Sequence, residues 1–327
     1  MASNKTLRSA NKTKDDEFYT QLSDIEKELK YYRSFFKDKV IFCNCDDPLD
    51  SNFFKYFELN FYILGLKKLI ATHFEKTKPS YKLEIIRDDR ENGLITSKDI
   101  IKTRLKQNGD FRSPECIELL KEADIIITNP PFSLFREYVD LLMEYKKDFI
   151  IIGNTNALTY KEIFKYIKDD KMRTGYTNFN VGMYFFVPDT YEKFHKIVDG
   201  RKMVRVSTSC WFTSLPVQKH KEDIILYKKY NSEEYPKFDN YDAININKVA
   251  EIPMDYDGLM AVPITFLDKY NPNQFEVVDA LNRYALLDIQ NTNKKVQKEH
   301  SHTCNINGKP TYFRIVIMKA EGKNNGW

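Results

Sequence analysis

Apolar positions recur along the chain in two alternating rhythms. Over residues 24–36 they fall every third or fourth place, with Ile25, Leu29, Tyr32 and Phe36 on one face, which predicts a helix. Val40–Cys43, Lys68–Thr72 and residues 124–128 and 149–153 are short apolar runs, the pattern of buried strands. Tyr81–Ile86 alternates and predicts another strand. Helical spacing returns over 51–59, 133–145 and 160–167. Strands alternating with helices predict an α/β fold with a doubly wound, mostly parallel sheet. Beyond residue 180 the pattern changes: residues 183–187 and 204–215 read as strands, the second containing Trp211, and 312–318 as a last one. The rest of 76–108 is polar and gives no assignment. A soft boundary near residue 230 divides the chain into a polar, disordered tail (1–14), a first domain (15–230) and a C-terminal region (231–327).

The 327 residues, 42% of them hydrophobic, suffice for one large domain with an appendage or for two domains. Phe (23) and Tyr (21) are abundant, which serves either an aromatic core or stacking on bases. The net charge of +4 is unevenly spread. Residues 159–230 hold 14 Lys and Arg against 8 Asp and Glu, so this stretch carries +6 and the remainder −2. Such clustering suits a polyphosphate partner, and it equally suits a solvated lysine-rich face. Of the five cysteines, Cys43 and Cys45 form a C-x-C without a second pair at zinc spacing, so buried thiols are expected and no metal. There is neither an apolar run of roughly 18 residues nor an apolar segment in the first 14 residues that would read as a signal peptide. A reduced, soluble, cytoplasmic protein without a membrane partner is expected.

The most specific chemistry lies at Asn129-Pro130-Pro131-Phe132, between a predicted strand and a predicted helix. The Asn129 side-chain oxygen and the Pro130 carbonyl can both accept from one exocyclic NH2 group. The two prolines stiffen the turn, and Phe132 can stack on the ring bearing the amine. That arrangement suits methyl transfer to N6 of adenine. The plain alternative is a helix-capping turn, with Ser133 as the cap.

In an open parallel sheet, ligands bind at the carboxyl ends of the strands, so the segments expected there are candidate cofactor contacts. Cys45-Asp46-Asp47-Pro48 offers an acidic side chain to a cationic or hydroxyl-bearing ligand. In His73-Phe74-Glu75 the carboxylate can hold a ribose diol and Phe74 can pack on a purine. In Asn108-Gly109-Asp110-Phe111, Asp110 can accept from an adenine amine. Each of these also reads as an ordinary turn or solvated acid. Trp211 is a candidate second face for a flipped base, or a core residue between sheet layers. No G-x-G-x-x-G is present, which argues against a dehydrogenase.

Further segments stand beside these: Asp16-Glu17-Phe18-Tyr19-Thr20-Gln21, Ser51-Asn52-Phe53-Phe54, Ile151-Ile152-Gly153-Asn154, Tyr235-Pro236-Lys237-Phe238-Asp239 and Val262-Pro263-Ile264-Thr265-Phe266. Together they resemble the amino-methyltransferases that use S-adenosylmethionine, and more closely the EcoRI-type adenine-N6 DNA methyltransferases. The resemblance implies an S-adenosylmethionine-dependent catalytic domain with a DNA-recognition region toward the C-terminus. In its terms Phe18, Tyr19 and Thr20 match the upstream cofactor motif, Asp46 the acidic residue after the first strand, and Asp110 and Phe111 the adenine-binding motif. Pro48 and Glu75 complete the expected cofactor set, while Asn129, Pro130 and Phe132 match the catalytic motif. The glycine-rich turn common among methyltransferases is missing, since residues 47–52 contain no Gly. The implied activity is site-specific methylation of duplex DNA by a monomer within a restriction–modification system, with a GAATTC-like site and a cognate endonuclease as functional partner. RNA adenine or a protein glutamine amide are alternative acceptors for the same chemistry. A nucleic-acid-binding module that has lost catalysis is the non-enzymatic alternative.

Overall fold

The computed structural model of the chain describes residues 18–76, 79–88, 93–281 and 305–320. The expected disordered tail, together with Asp16, Glu17 and Cys304, lies outside them. The chain divides into two compact units. One runs to Thr155 and resumes over Gly175–Leu215; the other comprises Asn156–Thr174 and the chain from Pro216 on.

In order, the first unit contains β1 (Tyr19–Thr20), α1 (Leu22–Leu29), β2 (Val40–Cys43), α2 (Asn52–Leu59), β3 (Lys68–Thr72), β4 (Tyr81–Ile86), β5 (Ile101–Arg104) and α3 (Pro114–Glu122). It continues with β6 (Ile125–Thr128), α4 (Phe135–Glu144), β7 (Asp148–Asn154), β8 (Met183–Phe186), β9 (Lys196–Val198), β10 (Arg201–Val206) and β11 (Ser209–Thr213). Its main sheet has the order β5-β4-β3-β2-β6-β7-β11. The central strands β3, β2, β6 and β7 are parallel, as their unbroken apolar runs demand. β4, β5 and β11 are antiparallel to their neighbours, so the sheet is mixed, where the sequence predicted a mostly parallel one. The link from β3 to β4, residues 73–80, is too short for a crossover, and the chain has to turn back on itself.

The strands are sealed by fully buried Phe42, Ile70, Ile126 and Ile151, and by the faces of α1 and α2 that carry Ile25, Leu29, Phe53 and Phe57. Each such side chain contributes about 1.5–3 kcal/mol of burial. Trp211 on β11 belongs to this core, with none of its surface exposed and its ring edge-on to Phe53 at 6.0 Å. Glu28 of α1 is also buried, and its carboxylate accepts from the Tyr32 hydroxyl, the backbone of Tyr176 and Thr177, and the Thr177 hydroxyl. Burial pushes its pKa up, while these donors favour the charged form.

A second sheet of the same unit, β1-β8-β10-β9, is antiparallel throughout. The β9–β10 hairpin closes through Asp199-Gly200, both at positive φ (49° and 76°), the backbone a two-residue type I′ turn requires. The apolar stretch 204–215, expected as one strand, is two. Polar Ser207 and Thr208 interrupt it, leaving β10 in the small sheet and β11 in the main one.

The second unit contains α5 (Lys161–Lys168), β12 (Lys237–Phe238), β13 (Tyr241–Asn245), β14 (Leu259–Pro263) and β15 (Phe275–Leu281), then a hairpin of β16 (Asn305–Ile306) and β17 (Lys309–Pro310), and β18 (Arg314–Lys319). Five of the strands form a sheet ordered β12-β13-β14-β18-β15, in which only β13 and β14 run parallel. Ala243, Ala261, Leu281 and Val316 pack its core.

Candidate active site

β3 and β6 flank β2 on opposite sides, so the chain leaves the carboxyl end of β2 in one direction and later returns on the other. Such a switch point leaves a crevice. A cavity of about 330 Å3 opens there. Its wall combines residues from the segments that follow β2, β3 and β6 with the 109–111 loop and with Phe18 and Tyr19.

After β2, side chains shape the turn that glycines make in other nucleotide-binding folds. Asp47 Oδ1 accepts from the Leu49 amide at 3.0 Å, and its carbonyl accepts from Asp50 and Ser51. The Ser51 hydroxyl donates to Asp46 Oδ2 at 3.2 Å and accepts from the Phe53 amide, capping α2. Asp47 is further held by the Tyr81 hydroxyl at 2.6 Å and faces His73 Nε2 at 3.5 Å. Burial, followed by this carboxylate, drives the Tyr81 phenol well above its ordinary range. Asn44 accepts from the Tyr138 hydroxyl of α4. Cys43 is a buried thiol, whereas Cys45 is half-buried on the cavity wall.

The 109–111 loop is set by glycine. Gly109 has φ +79°, and a Cβ there would collide with the His73 carbonyl oxygen. Asp110 is gripped by Arg112, whose Nε and Nη2 donate to its two oxygens at 2.8 and 2.7 Å. That pairing holds the Asp110 carboxyl below the usual carboxylate range. Each oxygen has two acceptor sites, so Oδ2 retains one for a ligand amine. Phe111 packs edge-on to Tyr138 at 5.0 Å. Ser113 then caps α3 with Pro114 in its first turn, a start signal present in the sequence but unread there.

Asn129 is 5% exposed, and its Nδ2 donates to the Phe18 carbonyl at 2.6 Å, across 111 positions of sequence. Only the NH2 end of the amide can face a carbonyl, so the side-chain orientation is fixed. Its Oδ1 is thereby left buried with no hydrogen-bond partner. A buried acceptor without a donor costs about 1–3 kcal/mol, which an incoming amine relieves. Around it the Phe18 ring lies 5.4 Å from Phe132, 5.7 Å from Phe185 and 6.1 Å from Tyr191. Phe185 and Tyr191 were not singled out in the sequence; Phe185 comes from β8 of the small sheet and Tyr191 from the segment between β8 and β9. The 3-10 turn Phe132–Leu134 and α4 both start without a side-chain cap at their N-cap positions, Pro131 and Leu134.

Of the other candidate residues, Phe18, Tyr19, Asp46, Asp110, Phe111 and Asn129 line the cavity, joined by Phe74 and Lys76. Pro130 and Phe132 follow Asn129 in the same turn, Phe132 half-buried against Phe18. Thr20, Pro48 and Glu75 stand off the wall. Thr20 is buried in β1, where its carbonyl accepts from Asn52 at 2.7 Å, and Pro48 is buried in the turn after β2. Glu75 bonds through Oε1 to the amide of Lys76. Trp211, considered as a stacking face, offers none because it is enclosed in the core. Among the described residues, no helix is long and apolar enough to cross a membrane, and no group of three or more His, Cys, Asp or Glu could hold a metal ion.

Residues 6–320 match the family described as adenine-specific methyltransferase EcoRI. The chain is 46% identical to Type II methyltransferase M.EcoRI of Escherichia coli, over 97% of each protein. It is 42% identical to Type II methyltransferase M.MgeORF184P of Mycoplasma genitalium, over 95% of this chain and 98% of that one. With Type II methyltransferase M.MpnI of Mycoplasma pneumoniae it shares 41% over 95% of this chain and 97% of that one. No solved structure matches it. Matched over nearly its whole length, the chain belongs to the EcoRI family of adenine-specific methyltransferases.

Proposed function

We propose that the chain methylates N6 of adenine at one short site in duplex DNA, using S-adenosylmethionine, as the modification enzyme of a type II restriction–modification system. The observation that carries this reading is the Asn129 amide: its NH2 is tied to Phe18 and its buried oxygen lacks a donor. An exocyclic amine is the donor that the site lacks.

The cavity residues fit S-adenosylmethionine. Asp110 offers an acceptor for the adenine amine of the cofactor, Phe74 and Phe111 offer apolar surface, and Asp46 offers a carboxylate to its hydroxyl or ammonium groups. When bound, the cofactor supplies an electrophilic sulfonium methyl. The target adenine has its N6 paired in the duplex and must be extruded to reach the site. As the base enters, the side chains covering Asn129 Oδ1 shift aside and Phe132 stacks on it. Asn129 Oδ1 and the Pro130 carbonyl then accept hydrogen bonds from the two N6 hydrogens, which leaves the nitrogen lone pair free for the methyl; the methylated nitrogen afterwards sheds one of these protons to solvent. Alignment does most of the work.

Residues 15–230 serve as the methyltransferase domain and residues 231–327 as the target-recognition region, with the protein acting as a monomer. The relatives' shared designation as Type II methyltransferases supports pairing with an endonuclease, and the site proposed for this chain is GAATTC-like. The test is to incubate the purified protein and S-adenosylmethionine separately with duplex DNA, structured RNA and a glutamine-bearing protein, then to digest and weigh the products. N6-methyl-deoxyadenosine from the duplex alone is the expected result. Methylated RNA or glutamine with unmodified DNA would overturn the choice of acceptor.

A further inference from the structure

One face of the small antiparallel sheet carries chemistry that methyl transfer leaves unused. Cross-strand register sets Tyr19 opposite Phe186, Tyr184 opposite Arg205 and Val198 opposite Arg201, which places these side chains on a common face. On the reverse face Thr20, Phe185, Val204 and Val206 are buried. On the outer face the Arg201 guanidinium lies 4.6 Å from the centre of the Phe186 ring and 5.9 Å from that of Tyr19. Arg205 sits 5.9 Å over Tyr184 and donates through Nη2 to the Val181 carbonyl at 2.9 Å. The Lys196 ammonium is 5.0 Å from the same Tyr184 ring. All three cations are exposed, and among the described residues none pairs with a carboxylate. Asp199, two positions before Arg201, is taken up in the hairpin turn.

Long cationic side chains on a surface are ordinarily free to wander, and fixing them costs entropy. Here the rings hold them in place beforehand. A guanidinium resting on a ring by its flat face still has N–H donors along its edge. Three cations held over rings, with no carboxylate partner among the described residues, therefore suit successive anionic oxygens. The rings lie beneath the cations, so they are not free platforms for bases; this favours phosphates over base stacking. This face also adjoins the active site through β1. Tyr19 lies under Arg201 and lines the cavity, and the carbonyl of its neighbour Phe18 holds Asn129.

We propose that this face, through Lys196, Arg201 and Arg205, seats the sugar–phosphate backbone of the duplex beside the extruded adenine. The proposal rests on the DNA-methylating activity proposed above. Each phosphate contact adds about 0.9 to the slope of log affinity against log salt. The pair Arg201→Ala with Arg205→Ala should therefore flatten that slope by roughly 1.8 for a duplex carrying the methylated motif, and raise the KM for it. Arg201→Lys with Arg205→Lys should keep most of the slope. Cofactor affinity by calorimetry should stay at its wild-type value in both, which also reports an intact fold. Should the alanine pair fail to fold, acetylation footprinting of the unaltered protein decides. Duplex DNA should protect Lys196, while exposed Lys121 on α3 stays reactive. An unchanged slope, an unprotected Lys196, or protection by structured RNA and not by duplex would overturn the proposal. Wild-type protein that methylates DNA while failing these tests sinks this face alone, whereas wild-type protein that methylates no DNA sinks the activity on which it rests.

Discussion

The cavity at the strand ends and the outer face of the small sheet share β1 but handle polarity in opposite ways. In the cavity the Asn129 amide is buried, its nitrogen tied to the Phe18 carbonyl and its oxygen without a donor. On the sheet face the cations stand exposed over rings. Buried hydrogen-bonding groups act over one bond length, so a single-atom change there should be severe. Exposed charges act over about 8–10 Å at ordinary salt and add up, so single losses should be mild. Chemistry thus resides in the cavity, and mere attraction on the sheet face.

The largest effect is expected at Asn129. Asn129→Ala should lower kcat by about 10²–10³, the scale for losing one positioned polar group at a reacting centre. Asn129→Asp should fare little better, because its second oxygen would oppose the Phe18 carbonyl where the NH2 now donates. Calorimetry should find cofactor binding intact in the alanine variant. Near-normal turnover in it would put the cavity on a par with the sheet face and break the contrast.

Phe132→Ala comes next. Base–aromatic stacking of about 1–3 kcal/mol predicts a roughly tenfold or greater rise in KM for DNA, with cofactor affinity untouched. Gly109→Ala should act on the other wall. A left-handed backbone costs a side chain roughly 1–2 kcal/mol, and the collision with the His73 carbonyl adds to this. Thermal unfolding should shift downward and cofactor binding should weaken. Unchanged cofactor binding would remove the 109–111 loop from the site.

The smallest effect at neutral pH is expected outside both regions, at His220 in the second unit. Burial depresses its pKa from 6.5 to about 3. The folded state thus keeps it neutral where the unfolded chain would protonate. Stability from this source is fully present above pH 6.5 and is lost as pH falls from there toward 3. Urea titrations of His220→Gln across that window should follow a flatter pH dependence than the parent. Parallel curves would mean that the ring is not shielded as described.

Much of the first unit was legible because its central strands are unbroken apolar runs and its helices carry one-sided spacing. Val40–Cys43, Lys68–Thr72 and Tyr81–Ile86 stand where periodicity puts them. Local pattern did not reveal β1, which has two residues and exists only by pairing with β8. Nor did it reveal the break at Ser207-Thr208, where composition stays strand-like but the chain changes sheets. At the site, the tetrapeptide announced an acceptor for an amine, but the bond that orients that acceptor spans 111 positions. The basic character of 159–230 was visible as a count, yet five of its cations (Lys193, Lys196, Arg201, Lys202 and Arg205) fall in the first unit and the rest in the second. Only the register of β8, β9 and β10 gathers the three that share a face with aromatic rings.

The most direct measurement is single-molecule sequencing for N6-methyladenine in DNA from a methylation-free host expressing either this chain or its Asn129→Ala variant. The account predicts modified adenines in one short motif from the first and none from the second. Unmodified DNA from a soluble, cofactor-binding parent, or the same modification from the variant, would contradict it.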